Sequence, residues 1–210
     1  MLSFPTETQI EILTHLPLYY LIKFSTVSKY FLALVRNHPW NLTIYVNNKM
    51  TEEVINHIIT TYQFQGYSLG HRVNNRICNK LHHSNLFELN LRGGHGSLDT
   101  GIIQLCQIRK RPFRKINLGY TDVTDVALEA IAQIGCEELD LTHNPMITDR
   151  GVQKIVASGK IHRLHLCYND QLTEAAFEGM TGVRRLHLGT MFSKFCKLVF
   201  QFPNTQFECF

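Results

Sequence analysis

The sequence predicts an α/β chain: three short N-terminal helices, then a short solenoid of about six units with parallel strands on its concave face and helices outside. Three observations carry this. Strand-like segments recur as "FQGYSL" (64–69), "LFELNL" (86–91), "FRKINL" (113–118), "CEELDL" (136–141), "IHRLHL" (161–166) and "VRRLHL" (183–188). Each helix start reads apolar, then a polar capping residue: Met50-Thr51-Glu52, Val73-Asn74-Asn75, Leu98-Asp99-Thr100, Val123-Thr124-Asp125, Ile147-Thr148-Asp149 and Leu172-Thr173-Glu174, with first residues 23, 25, 25, 24 and 25 apart. The first 40 residues, by contrast, are apolar with no such beat and are cut by Pro5, Pro17 and Pro39.

The opening stretch divides into three amphipathic pieces. Thr6 is expected to cap a helix, with Gln9 reaching back in a capping box and Ile10, Leu13 and Leu16 following before Pro17. Leu18, Leu21 and Ile22 form a second turn, and Ser25 or Thr26 is expected to cap a third helix carrying Val27, Phe31 and Leu34. Helices shorter than about 12 residues are marginal in water, so these lean on the rest of the chain, on another protein, or on both. Phe4, Leu18, Tyr19, Tyr20 and Leu21 are an apolar surplus that suits an interface.

In the solenoid, Thr51, Thr124, Thr148 and Thr173 are good N-caps, and the acid after each lies at the positive end of the helix dipole. Alternation along a strand turns Leu139 and Leu141 inward and Glu138 and Asp140 outward. One greasy side per unit forces the units to stack. The last twenty residues keep no clear repeat and are expected to cap the array, with "TQFECF" as a final strand.

Composition narrows the function classes. At 210 residues and 44% hydrophobic content the chain is long enough to bury a packed core. A net charge of +4 is too mild to argue by itself for a nucleic-acid or membrane partner, and neither is expected. No apolar run approaches the roughly 18 residues that span a bilayer. The start, with Glu7 and Glu11 and no basic region, does not read as a secretory signal. Cys78, Cys106, Cys136, Cys167, Cys196 and Cys209 stand singly, which reads as free thiols in a reducing compartment, cytoplasm or nucleus.

The N-terminal residues Phe4-Pro5, Glu7, Ile12-Leu13, His15-Leu16-Pro17, Leu21, Val27-Ser28-Lys29, Phe31 and Trp40 resemble an F-box in register throughout. Phe4 replaces the commoner Leu, and Tyr20 stands where an Asp is usual. The units from about residue 42 to 190 resemble leucine-rich repeats, and Ile147 to Gly151 the cysteine-containing subtype. Cys136 matches that subtype's inner cysteine, whereas Asn144 or Asn169 stands where its second would be.

These resemblances imply an F-box over 1–41, repeats over 42–190 and a cap over 191–210. They imply a non-catalytic substrate receptor that docks a Skp-type adaptor, and through it a cullin-RING ubiquitin ligase, by Phe4, Pro5, Ile10, Leu13, Leu16, Pro17, Leu21 and Val27. The source implied is a eukaryote, or a microbe or virus whose protein works inside a host cell. A repeat scaffold whose N-terminal helices only cap the solenoid is the alternative.

The expected target surface is the outward column Asn90, Asn117, Asp140, His165 and His187, flanked by Glu88, Lys115, Glu138, Arg163 and Arg185. It turns basic toward the C-terminus, which suits an acidic or phosphorylated segment near Arg163 and Arg185. His165 and His187 fall on neighbouring strands but lack a third metal ligand, so no metal and no cofactor is expected. No cysteine has the acid–base neighbourhood of a nucleophile. The basic run "RKRPFRK" (109–115) reads as helix-end cations, and "RGGHG" (92–96) as a turn.

Overall fold

A computed structural model describes residues 5–15, 18–25, 28–38, 40–46, 50–70, 74–78, 80–81, 86–96 and 98–208. Phe4, Leu16, Pro17 and Val27, with Thr26, Val73 and Cys209, lie outside the described residues. The N-terminal helices are α1 (Thr6–Thr14), α2 (Leu18–Ser25) and α3 (Lys29–Asn37). Two of their starts differ from expectation. Pro5, with its fixed φ of −50°, occupies the N-cap of α1 and no side chain caps that helix, so Thr6 is already inside it. Ser28 caps α3 by accepting the Phe31 N–H at 3.2 Å, while Ser25 closes α2.

From Trp40 onward the chain alternates strand and helix: β1 (Trp40–Tyr45), α4 (Glu52–Thr61), β2 (Phe64–Ser68), α5 (Asn75–Cys78), β3 (Glu88–Asn90), α6 (Asp99–Ile108), β4 (Phe113–Asn117), α7 (Asp125–Ile134), β5 (Cys136–Asp140), α8 (Asp149–Ala157) and β6 (Ile161–His165). A 3-10 turn (Glu174–Phe177), β7 (Arg185–His187), a longer 3-10 stretch (Gly189–Phe195), α9 (Leu198–Gln201) and β8 (Gln206–Glu208) complete it. All neighbouring strands pair in parallel and in chain order, forming one eight-stranded sheet among the described residues. Sequential order with parallel pairing is what stacked identical units produce.

Three strand findings go beyond the sequence pattern. β1 runs across the expected boundary at residue 41 and ties helix to solenoid: Trp40 is buried, its indole N–H donates to the Val35 carbonyl at 2.7 Å, and its backbone pairs with Phe64. The final strand within "TQFECF" pairs with β7. The helix expected after Thr173 is a 3-10 turn.

The core is one continuous column of leucine, isoleucine, valine and phenylalanine running from Leu13 to Leu198. β2, β4, β5 and β6 bury their first and fourth residues, as Cys136 and Leu139 or Ile161 and Leu164, with Leu141 and Leu166 following them inside.

Two polar ladders stitch the units. Asp99 accepts both the backbone N–H (3.0 Å) and the hydroxyl (2.7 Å) of Thr124 in the next unit. Asp125 does the same for Thr148 (2.8 and 2.5 Å), and Asp149 for Thr173 (2.7 and 2.5 Å). The acid at each helix start therefore binds the following unit besides facing its own helix dipole. Thr124 and Thr173 also cap their own helices, whereas the Thr148 side chain makes no cap bond.

The second ladder is buried. Asn144 Nδ2 donates to the Leu118 carbonyl at 3.0 Å, and its Oδ1 accepts from Thr121 at 2.9 Å. Asn169 Nδ2 donates to the carbonyls of Leu141 and Leu166 at 2.8 and 2.9 Å, while its Oδ1 accepts the Asn144 N–H at 2.7 Å. Turns after the strands carry backbone groups that no strand partner reaches, and a buried amide supplies both donor and acceptor. That is the physical reason asparagine serves where a thiol would be a weaker partner.

Candidate functional site

The N-terminal surface follows from which helix faces the fold uses. Leu13 and Leu21 are 3% and 0% exposed and belong to the chain's own core. Both were expected to contact an adaptor; in the free chain they pack into its own core instead of facing solvent. Of the other expected contacts, Pro5 is exposed and Ile10 half-buried.

The side chains left outside are Ile12, Tyr20 and Tyr30, each about half exposed. Ile10 and Tyr30 line a shallow groove with Thr6, Ala33, Leu34, Asn37 and His38. Tyr20 belongs to the apolar surplus read for an interface, whereas Ile12 and Tyr30 were missed because apolar spacing identifies a stripe without saying which members the fold consumes.

On the concave face, register places Glu88, Lys115, Glu138, Arg163 and Arg185 in one row and Asn90, Asn117, Asp140, His165 and His187 in the next. The second row is partly occupied by the turns. Asn90 Oδ1, Asn117 Oδ1 and Asp140 Oδ1 accept the N–H two residues on, at 3.0, 2.9 and 2.9 Å.

The first row is a charge relay: Lys115 pairs with Glu138, and Glu138 with Arg163 at 3.2 Å. Glu88 meets Arg114 at 3.6 Å, and Arg92 lies 4.0 Å from Asp140. Arg163 is thus already engaged, whereas Arg185 makes no ion pair among the described residues.

A third row lies beside these two: Arg114, Glu137, His162 and Arg184. β4, β5 and β6 each show two solvent-facing residues between the first two buried ones, as in Phe113-Arg114-Lys115-Ile116, so strict alternation skips one of them.

Burial of Glu138 raises its carboxyl's pKa, but Lys115 and Arg163 outweigh this and hold it below its ordinary value. A depressed carboxyl stabilises the fold above the unfolded pKa, about 4.3, and loses that contribution as pH falls through the folded value. Glu138→Gln is accordingly expected to cost about 1 kcal/mol at pH 7 and progressively less toward pH 3, measured by urea melts at both.

His165 and His187 approach Nδ1 to Nδ1 at 3.3 Å with rings edge to face. Burial lowers the His165 pKa, partly opposed by Asp140 and Glu138. Among the described residues no group of three or more His, Cys, Asp or Glu side chains is placed to hold a metal.

At the ends of the strands runs an exposed aromatic line in left-handed backbone: Tyr120 (φ 59°), His143 (φ 53°) and Tyr168 (φ 59°). Arg92 stacks on Tyr120 at 4.4 Å, and Tyr120 on His143 at 4.9 Å. The basic run disperses: Arg109 stacks on Phe113 at 4.0 Å, Arg114 meets Glu88, and Lys115 meets Glu138.

The described cysteines are free, and all but Cys196 are buried. Burial pushes the Cys78, Cys106 and Cys136 thiols up to about 12, far from nucleophilic use. A disulfide-exchange reagent at pH 8 is expected to label Cys196 quickly in the native protein, with those three reacting only on unfolding. Peptide mapping against time checks this.

No helix among the described residues is long and apolar enough to cross a membrane. The sequence profile of the F-box domain matches residues 1–43, and that of a Leucine Rich repeat matches 137–156, which covers β5 and most of α8. No curated protein matches the chain. With α1 to α3 under the first profile and a parallel strand–helix array containing the second, this chain carries an F-box domain followed by leucine-rich repeats.

Proposed function

We propose that the chain is a non-catalytic substrate receptor of an SCF-type cullin-RING ubiquitin ligase, divided into an F-box (1–41), a repeat array (42–190) and a C-terminal cap (191–210). F-box domains generally bind Skp1-type adaptors, and the observation that carries the reading here is Ile12, Tyr20 and Tyr30 standing about half exposed on helices that bury Leu13, Leu21 and Val35. The concave rows around Glu138 and Arg185 hold the target. The complex then acts by raising the concentration of target lysines near a ubiquitin-charged enzyme, and the chain itself makes no bonds. It works where cullin ligases work, in cytoplasm or nucleus.

The burial of Leu13 and Leu21 also suits the second reading, an interaction scaffold whose N-terminal helices are only a cap. Mixing the purified chain with a Skp-type adaptor separates the two. A one-to-one complex on size exclusion is expected, and separate elution at micromolar concentrations would leave the scaffold.

A further inference from the structure

We infer that a recess on the concave side, at the start of β5, β6 and β7, is an anion site for an acidic segment of a protein partner. It rests on the reading of this face as the target surface and adds the chemistry of what binds. The recess has a volume of about 470 Å³ and is lined by Glu137, His162, Arg163, Arg184 and Arg185.

Its charges do not balance. Arg163 and Arg185 are register partners on adjacent parallel strands, where like charges directly opposite are unfavourable. Glu138 relieves Arg163 alone and is shared with Lys115. Arg184 and Arg185 are exposed and make no ion pair among the described residues, and neither does Glu137. His162 adds a second imbalance: its Nδ1 is buried without a hydrogen-bond partner among the described residues.

Three guanidinium groups around one hollow, only one of them compensated, suit a group with several oxygens that accepts forked hydrogen bonds. The surroundings select a protein segment over a nucleic acid. Glu137, Glu138 and Asp140 lie on one flank, and Glu208 pairs in register with His187 on the other. A phosphodiester chain, charged at every step, meets those acids, whereas an extended peptide sets discrete carboxylates against the arginines and passes the acids with neutral residues.

The test uses the full chain and a fluorescein-labelled octapeptide of alternating glutamate and serine, followed by anisotropy at low salt. Saturable binding is expected, weakened at least about tenfold by Arg184→Gln with Arg185→Gln and unchanged by Arg150→Gln on α8. Absence of binding, or a double variant within twofold of wild type, overturns the proposal. So does an eight-nucleotide single strand that binds more tightly than the peptide and is lost in the same double variant. Circular dichroism checks folding, and adaptor co-elution of the same samples keeps the two readings apart: loss of the adaptor with peptide binding retained counts against the ligase role and leaves the recess standing.

Discussion

Asn169→Ala is expected to lower the unfolding free energy by about 3 to 5 kcal/mol, the largest effect of any polar substitution in the repeats. The side chain is fully buried. Its removal strands the carbonyls of Leu141 and Leu166 and the N–H of Asn144, which it binds at 2.8, 2.9 and 2.7 Å. Each orphaned buried group costs about 1 to 3 kcal/mol, and alanine leaves a small cavity besides. In a chain of this size the loss corresponds to about 10 °C in Tm. Asp170→Ala, one residue along and exposed, is expected to stay within about 0.5 kcal/mol. Urea melts followed by circular dichroism decide it, and equal behaviour of the two variants would mean that the buried amide carries no such load.

Ile12→Asp with Tyr30→Asp is expected to weaken adaptor binding at least about a hundredfold while leaving the melt of the repeats unchanged. Both side chains are about half exposed, so a charge there meets water in the free protein and apolar surface only in the complex. Interface anchors of this kind are worth about 2 kcal/mol or more each. Leu13→Asp is the wrong probe, because Leu13 is core and its charge would disturb the helices themselves. Calorimetry with the adaptor measures the effect. Undiminished affinity would place the docking surface elsewhere on α1 to α3 or remove it altogether.

How much was legible in the sequence depended on whether a signal is periodic. The beat of leucine strands and Thr-acid helix starts placed β2 to β7, α4, α6, α7 and α8, because each unit repeats the same burial problem. It failed at the ends, where repetition stops. β1 begins at Trp40, inside the segment assigned to the helices, and the 3-10 turn after Thr173 shortens a regular helix. The rows of the concave face were read at two positions per strand, whereas β4 to β6 turn two residues outward between the first and fourth and another after them, which left Arg184 out. Capping was read locally, yet Asp99, Asp125 and Asp149 each bind the neighbouring unit, a contact about 25 residues away that no short window contains. Leu13 and Leu21 had the right chemistry for an interface, and spacing alone could not tell that the free chain buries them in its own core.

The in-order sheet turns strand number into a ruler. Successive parallel strands are about 4.8 Å apart, so whatever rests on β6 sits five spacings, roughly 24 Å, along the arc from the Trp40 junction. Adding or deleting one internal unit would shift a captured cargo by a single graduation of that scale without altering either grip.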